Sequence, residues 1–308
     1  MADRAVQWER ERLPEWLRMP ISRSAAGVRT ESALREGSGL HTICEEAKCP
    51  NRNHCWSRGT ATFLILGDVC TRSCRFCSVK GGIPNPPDPH EPARLIEAVE
   101  TMGLNHVVIT SVNRDDLPDQ GSGQFVECID GIRREQPATR IEVLVPDFRG
   151  VAEDIDRVLA ARPDILNHNI ETVPRLYKTV RPGARYERSL ELLSRARKSY
   201  DAIGDGKPRY AKSGFMLGLG ETEEEVEALL RDLYEAGVQI VTIGQYLSPG
   251  IDHLPVVEYV HPDRFAHWER FGRELGFAMV FSGPFVRSSY MADEQVPLEP
   301  MGDAPTAE

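Results

Sequence analysis

Six short runs rich in β-branched residues alternate along the chain with six stretches whose apolar positions recur three and four residues apart. The first kind predicts strands near 61–66, 106–112, 140–145, 165–170, 210–217 and 239–246. The second predicts amphipathic helices over 92–102, 124–135, 152–161, 187–200, 223–236 and 263–275. The fifth helix opens on Thr222-Glu223-Glu224-Glu225, a capping box in which Thr222 and Glu225 each satisfy the other's free backbone donor.

Strands alternating with helices signal βαβ units and a parallel sheet of the α/β class. Right-handed crossovers curl such a sheet, and the loops at the carboxyl ends of the strands then face one cleft. Six units against the eight of a closed barrel predict a partial (β/α)6 TIM-like barrel over 61–283. Residues 1–60 precede it as an N-terminal extension, and 284–308 follow as a C-terminal segment. The Pro-rich polar stretch 295–308 is expected to be disordered.

The 308 residues carry 37 Lys and Arg against 47 Asp and Glu, a net charge of −10, which argues against a general nucleic-acid or anionic-membrane binder. One stretch runs the other way. From Arg175 to Lys212 the local charge is basic, read as a solvated helix face or as a docking surface for an acidic partner. The charged N-terminus has no apolar signal core, and no apolar run approaches the ~20 residues of a membrane span. A cytoplasmic protein is expected, and in a reducing compartment seven cysteines do not form a disulfide framework.

Those cysteines carry the chemistry. Cys70, Cys74 and Cys77 form C-x3-C-x2-C directly after the first strand, and Cys44, Cys49 and Cys55 form C-x4-C-x5-C in the extension. Thiolates this close on loops can converge on one metal centre, as in iron–sulfur clusters. Zinc is the alternative, and His41 or His54 could complete the Cys44/Cys49/Cys55 triplet, whereas nothing obvious completes Cys70/Cys74/Cys77. Three thiolates leave one iron of a four-iron cluster open, and an open iron is a place for chemistry. Cys128 sits with Phe125, Ile129 and Ile132 at core spacing and is read as buried.

C-x3-C-x2-C with an aromatic before its last cysteine resembles the radical S-adenosylmethionine superfamily, in which the open iron chelates S-adenosylmethionine and the sulfonium is cleaved to a deoxyadenosyl radical. Asn167-His168-Asn169-Ile170-Glu171 is similar to a strand motif of that superfamily; the resemblance implies that Asn169 and Glu171 hold the ribose, while His168, on the opposite face, is structural. Four further elements narrow the family. The C-x4-C-x5-C triplet, Thr110-Ser111-Val112-Asn113-Arg114-Asp115-Asp116-Leu117-Pro118, Lys212-Ser213-Gly214-Phe215-Met216-Leu217-Gly218-Leu219-Gly220-Glu221-Thr222 and Arg287-Ser288-Ser289-Tyr290 together resemble the lipoyl synthases, over residues 15–292.

That resemblance implies two 4Fe-4S clusters and S-adenosylmethionine as cofactors. One cluster sits on Cys70, Cys74 and Cys77. The other is an auxiliary cluster on Cys44, Cys49 and Cys55 with Ser289 as its fourth, releasable ligand, Ser288 being the alternative. An alkoxide is a poorer match than thiolate for cluster iron. Thr110 and Ser111 are expected near the methionine portion of S-adenosylmethionine, and Arg114, Asp115 and Asp116 order their loop or face the substrate. The implied reaction inserts sulfur at carbons 6 and 8 of an octanoyl-lysine on a lipoyl carrier domain, either glycine cleavage H protein or a 2-oxoacid dehydrogenase E2, with flavodoxin or ferredoxin as electron donor. An enzyme whose auxiliary cluster only carries electrons, and a zinc-stabilised interaction module, are the rivals. Gly218-Leu219-Gly220 lacks the third glycine of a dinucleotide fingerprint. Asp252 and His253 are expected as polar residues of the cleft, in a loop whose Ser248-Pro249-Gly250 departs from the family's usual pattern.

Overall fold

The computed structural model describes residues 13–18, 39–47, 49–57 and 60–295. Its elements are, in order, β1 (His41–Thr42), α1 (Ile43–Glu46), α2 (Arg52–Ser57), β2 (Thr62–Ile65), β3 (Val69–Cys70), β4 (Lys80–Gly81), α3 (Glu91–Met102), β5 (His106–Ser111), α4 (Ser122–Glu135) and β6 (Arg140–Leu144). There follow α5 (Ala152–Ala160), β7 (Ile165–Asn167), α6 (Tyr177–Val180), α7 (Tyr186–Ile203), β8 (Tyr210–Leu217), α8 (Glu223–Glu235), β9 (Ile240–Gln245), α9 (Pro262–Leu275) and β10 (Met279–Gly283). Main-sheet order is β1-β2-β5-β6-β7-β8-β9-β10, with β3 and β4 paired separately. Every ladder from β2 to β10 is parallel, as right-handed helical crossovers require.

The sheet is a partial barrel of six βα units, as the sequence pattern predicts, and a seventh strand ends it. β10 pairs with β9 from Met279–Ile240 to Gly283–Gly244. Its short run between Gly276 and Pro284 carries no helical or alternating signature of its own. At the other edge β1 pairs antiparallel with β2, so the segment around the first cysteine triplet folds back onto the barrel. Strands β2 and β9 are buried along their whole length, the mark of a sheet covered on both faces.

One core packs α3 and α4 against β2, β5 and β6 through Leu95, Phe125, Phe63, Ile109 and Ile141. A second joins α8 and α9 to β8 and β9 through Leu229, Leu230, Trp268, Phe215 and Val241. Each such side chain contributes about 1.5–3 kcal/mol on burial. Cys128 is fully buried in the first core. The capping box forms at α8: Glu225 N–H donates to Thr222 Oγ1 at 3.3 Å, and Thr222 N–H to the Glu225 carboxylate at 2.9 Å.

β7 stops three residues short of its expected end. Glu171 takes a left-handed backbone (φ +70°), and the chain rejoins β8 through a bridge between Glu171 and Phe215. The basic stretch is largely neutralised within the fold. Arg175, Arg188, Arg195, Arg197 and Arg209 pair with Glu225, Asp147, Asp156, Asp201 and Asp205, and Lys212 is buried on Glu142. Among the described residues no helix is long and apolar enough to cross a membrane. The expected disorder falls on 296–308, outside the described residues; Gln295 itself is buried and donates to the Tyr290 carbonyl at 2.6 Å.

Candidate active site

The C-x3-C-x2-C loop leaves β2 at the carboxyl end of the strand. The β3–β4 ladder closes its base, where Gly82 N–H donates to the Cys70 carbonyl at 2.9 Å. Residues between the cysteines fix its shape. Arg72 grips Asp115 with two bonds of 2.7 and 2.8 Å and Asp147 with a third contact of 2.7 Å, a fork that lysine could not reproduce. Thr71 donates through N–H and Oγ1 to the Asn113 carbonyl, both at 3.0 Å. Asn113 and Arg72 N–H groups point at Cys70 Sγ from 3.3 and 3.4 Å, and such donors stabilise a thiolate and tune a cluster bound to it. His253 Nε2 lies 3.1 Å from the Cys77 carbonyl, tying in the loop after β9, whereas Asp252 is exposed.

All three of these cysteines border a cavity of about 430 Å³ inside the barrel. Thr110, Ser111, Asn169 and Glu171 line its wall. Thr110 donates to the Leu144 carbonyl at 2.9 Å, while Ser111 Oγ and Asn169 Oδ1 are buried without a partner. Burial pushes the Glu171 carboxyl up, against the pull of Arg181, Asn169 and Arg287. Orphaned acceptors beside a carboxylate suit a ligand rich in hydroxyl and ammonium groups, so the donor set fits S-adenosylmethionine. Gly214 keeps the space open, since a Cβ there would collide with Thr242 Oγ1. Arg181, which no sequence motif flagged, also lines the cavity and donates to the Asn169 carbonyl at 2.7 Å.

The neighbouring motif residues are structural. His168 is fully buried between the Val145 carbonyl (2.8 Å) and Ser189 Oγ (2.9 Å), and burial with the Arg181 charge pushes it down to about 4, so it is neutral. Arg114 clamps Asp116 with two bonds of 2.9 Å, and Asp115 holds Arg72, so this trio orders its loop. Glu221 accepts from the Gly218 and Leu219 N–H groups at 2.6 and 2.9 Å, which occupies the donors a phosphate would need.

Cys44, Cys49 and Cys55 border a second, small cavity of about 30 Å³ together with Arg287 and Ser289. Burial pushes Cys44 up to about 11 and Cys55 to about 12, so a metal centre must displace their protons on binding. Asn51 Nδ2 donates to the Phe285 carbonyl at 2.6 Å and fastens this loop to the C-terminal segment. Gly244 admits that segment, because a Cβ there would collide with the Val286 carbonyl oxygen. Cys49, Arg287 and Ser289 border both cavities; Ser288 borders only the larger. Arg287, which the sequence motif contained without a role, is pressed down by burial between Cys49 and Glu171.

Neither His41 nor His54 borders the small cavity. Among the described residues no three His, Cys, Asp or Glu side chains converge tightly enough for one metal ion, around which thiolates at ~2.3 Å must nearly touch.

Residues 64–233 match the radical SAM superfamily. The chain is 53% identical over 289 residues to a lipoyl synthase of Chlorobium limicola, covering 94% of this chain and 96% of that one. It is 53% identical to a lipoyl synthase of Rubrobacter xylanophilus, covering 92% and 86%. Among solved structures, HydG, a maturase of the [FeFe]-hydrogenase, superposes with a TM-score of 0.55 at 17% identity, over 71% of this chain and 51% of that one, which bears on the fold alone.

Proposed function

We infer the function from one premise: the chain belongs to the lipoyl synthase family within the radical SAM superfamily. It is a sulfurtransferase acting on a protein-bound octanoyl chain, and it uses a 4Fe-4S cluster and S-adenosylmethionine. An unactivated alkyl carbon has no acidic proton, so a side-chain base could not open it to sulfur. When bound, the cluster and S-adenosylmethionine supply a carbon radical that abstracts hydrogen at carbons 6 and 8, and a sacrificial auxiliary cluster supplies the two sulfurs.

The observation that carries the finer reading is the single cavity bordered by Cys70, Cys74 and Cys77 and also by Cys49 and Ser289. An octanoyl arm lying in it reaches both centres. Leu64, Val112, Leu144, Val145, Phe215 and Met216 give it apolar walls suited to an alkyl chain. We assign Cys70, Cys74 and Cys77 to the radical cluster, Cys44, Cys49, Cys55 and Ser289 to the auxiliary cluster, and Thr110, Ser111, Asn169 and Glu171 to S-adenosylmethionine. Ser289 is favoured over Ser288 because it alone of the two borders the small cavity. The division into an extension over 1–60, a barrel over 61–283 and a C-terminal segment over 284–308 belongs to the same reading.

The substrate carrier is a lipoyl carrier protein. Glycine cleavage H protein or a 2-oxoacid dehydrogenase E2, with flavodoxin or ferredoxin as reductant and a cytoplasmic location, complete the proposal. Reconstituted protein should hold roughly eight irons, and the triple alanine variant of either triplet about half. Without Cys44, Cys49 and Cys55 the chain should still cleave S-adenosylmethionine and make no lipoyl product. Product from that variant, with no outside sulfur source, would refute the assignment.

A further inference from the structure

His106 opens β5, is 7% exposed, and borders the small cavity beside Cys44, Cys49, Cys55 and Ser289. Its Nδ1 is buried without a hydrogen-bond partner. Nε2 faces Glu142 of β6, whose Oε2 stands 3.4 Å away. Glu142 is itself fully buried, and its other oxygen accepts from Lys212 Nζ at 2.8 Å and Asn167 Nδ2 at 3.0 Å. Lysine and amide thus hold the carboxylate in place with one oxygen left for the imidazole.

This arrangement sets the tautomer. A fixed carboxylate draws the ring proton to Nε2, and Nδ1 keeps its lone pair. A buried imidazole nitrogen without a partner is costly to maintain, and the cavity it borders is the one we assign to the auxiliary cluster. Carboxylate, imidazole and metal in series is the usual way a protein orients a ligating histidine, and imidazole is a competent iron ligand.

We propose that His106 is a nitrogen ligand for iron in the small cavity, taking the iron that Ser289 gives up. The inference rests on the assignment of Cys44, Cys49, Cys55 and Ser289 to that cluster. The Fe–O bond to Ser289 breaks, the Fe–N bond to His106 forms, iron keeps its oxidation state, and the alkoxide takes a proton from water. Iron is thereby held beside the cluster while sulfide becomes accessible.

The test uses the full chain with Cys70, Cys74 and Cys77 changed to alanine, which isolates the auxiliary cluster, and with Ser289→Ala added. Protein carrying 14N- or 15N-histidine is reconstituted anaerobically with iron and sulfide, reduced, and read by pulsed electron–nuclear double resonance. The expected result is a coupling of directly bonded nitrogen that changes with the isotope, at about four irons per chain. His106→Gln should lose that coupling and retain about three irons. A cluster with its full iron and no histidine coupling overturns the proposal, a result that needs no variant of His106 to fold. A coupling that survives His106→Gln overturns it too. Failure of any cluster to assemble on Cys44, Cys49 and Cys55 instead overturns the assignment beneath it.

Discussion

Replacing Lys212 by methionine tests the charged floor of the barrel. Lys212 and Glu142 are both fully buried, with Nζ 2.8 Å from Oε1. Burial works against both charges. For Glu142 the attraction of Lys212 and His106 overcomes it and the carboxyl is held below its ordinary range, whereas for Lys212 burial wins and the ammonium is pushed down. Full burial costs the two charges about as much as their attraction returns, so the intact pair is close to neutral, but half of it is a liability. Removing one partner strands the other at a cost of about 3–5 kcal/mol. An unfolding entropy of about 2.1 cal/mol/K per residue gives roughly 0.65 kcal/mol/K for this chain, so the melting temperature should fall by about 5–8 °C. Lys212→Met combined with Glu142→Gln removes both charges and should restore melting to within about 2 °C of the wild type. Anaerobic calorimetry of the cluster-loaded proteins reads both shifts. A single variant that melts with the wild type, or a double variant worse than the single, would refute the reasoning.

Glu171→Gln should weaken S-adenosylmethionine binding about 10- to 100-fold by calorimetric titration, the worth of a charge-assisted hydrogen bond. Because burial raises the folded pKa of Glu171, the carboxylate is lost on acidification sooner than an ordinary glutamate's. Affinity should therefore fall from a higher pH than the usual carboxylate range, and the pH dependence should vanish in the glutamine variant. Ser289→Ala should still assemble an auxiliary cluster on its three thiolates but lose sulfur transfer, Ser288→Ala should be milder, and Ser289→Cys should keep the cluster while suppressing release of its fourth iron from the cluster; product formation with spectroscopy of the cluster distinguishes them. Since most cations of 175–212 are already paired, activity on octanoylated carrier and on a short octanoyl-lysine peptide should respond alike to salt, and a steeper loss on the carrier would restore the docking surface. Arg287→Met removes a cation shared by both cavities, so the reduction potentials of both clusters should fall together in redox titration; a shift in one alone would place Arg287 with that cluster only.

The barrel was legible because its information is local. Runs of β-branched residues placed all six predicted strands and the 3.6-residue period all six predicted helices within a few residues, and the capping box at Thr222 formed as its spacing requires. β10 escaped because a five-residue run bounded by turn residues is set by its partner β9 rather than by its own pattern. β7 was overextended for a related reason: Ile170 is as apolar as the strand before it, and only the left-handed turn at Glu171 shows that the chain has left the ladder. The cysteines were legible as metal-type residues at metal-type spacing. Arg181, Arg287 and His106 were not, because only the fold brings each of them to a cavity wall. The basic stretch shows the converse, since a charge run says nothing of the acidic partners that the fold supplies from up to 70 residues away, such as Asp156 for Arg195 and Glu142 for Lys212.

On the proposed assignment, the wall chemistry of the large cavity would let one site serve two clusters without a base. Its unsatisfied polar atoms sit on β5 and just beyond β7, at Ser111 and Asn169, within reach of the radical cysteines. Leu64, Leu144, Phe215 and Met216 supply apolar surface between, where water would gain few hydrogen bonds. With the cofactors bound, these side chains would surround the reacting carbon with C–H bonds rather than O–H groups, and excluding water would prevent side reactions. On the same reading these walls would hold the alkyl chain along its length, and selection of carbons 6 and 8 would be a matter of how far the lysine-linked arm enters before the carrier surface stops it.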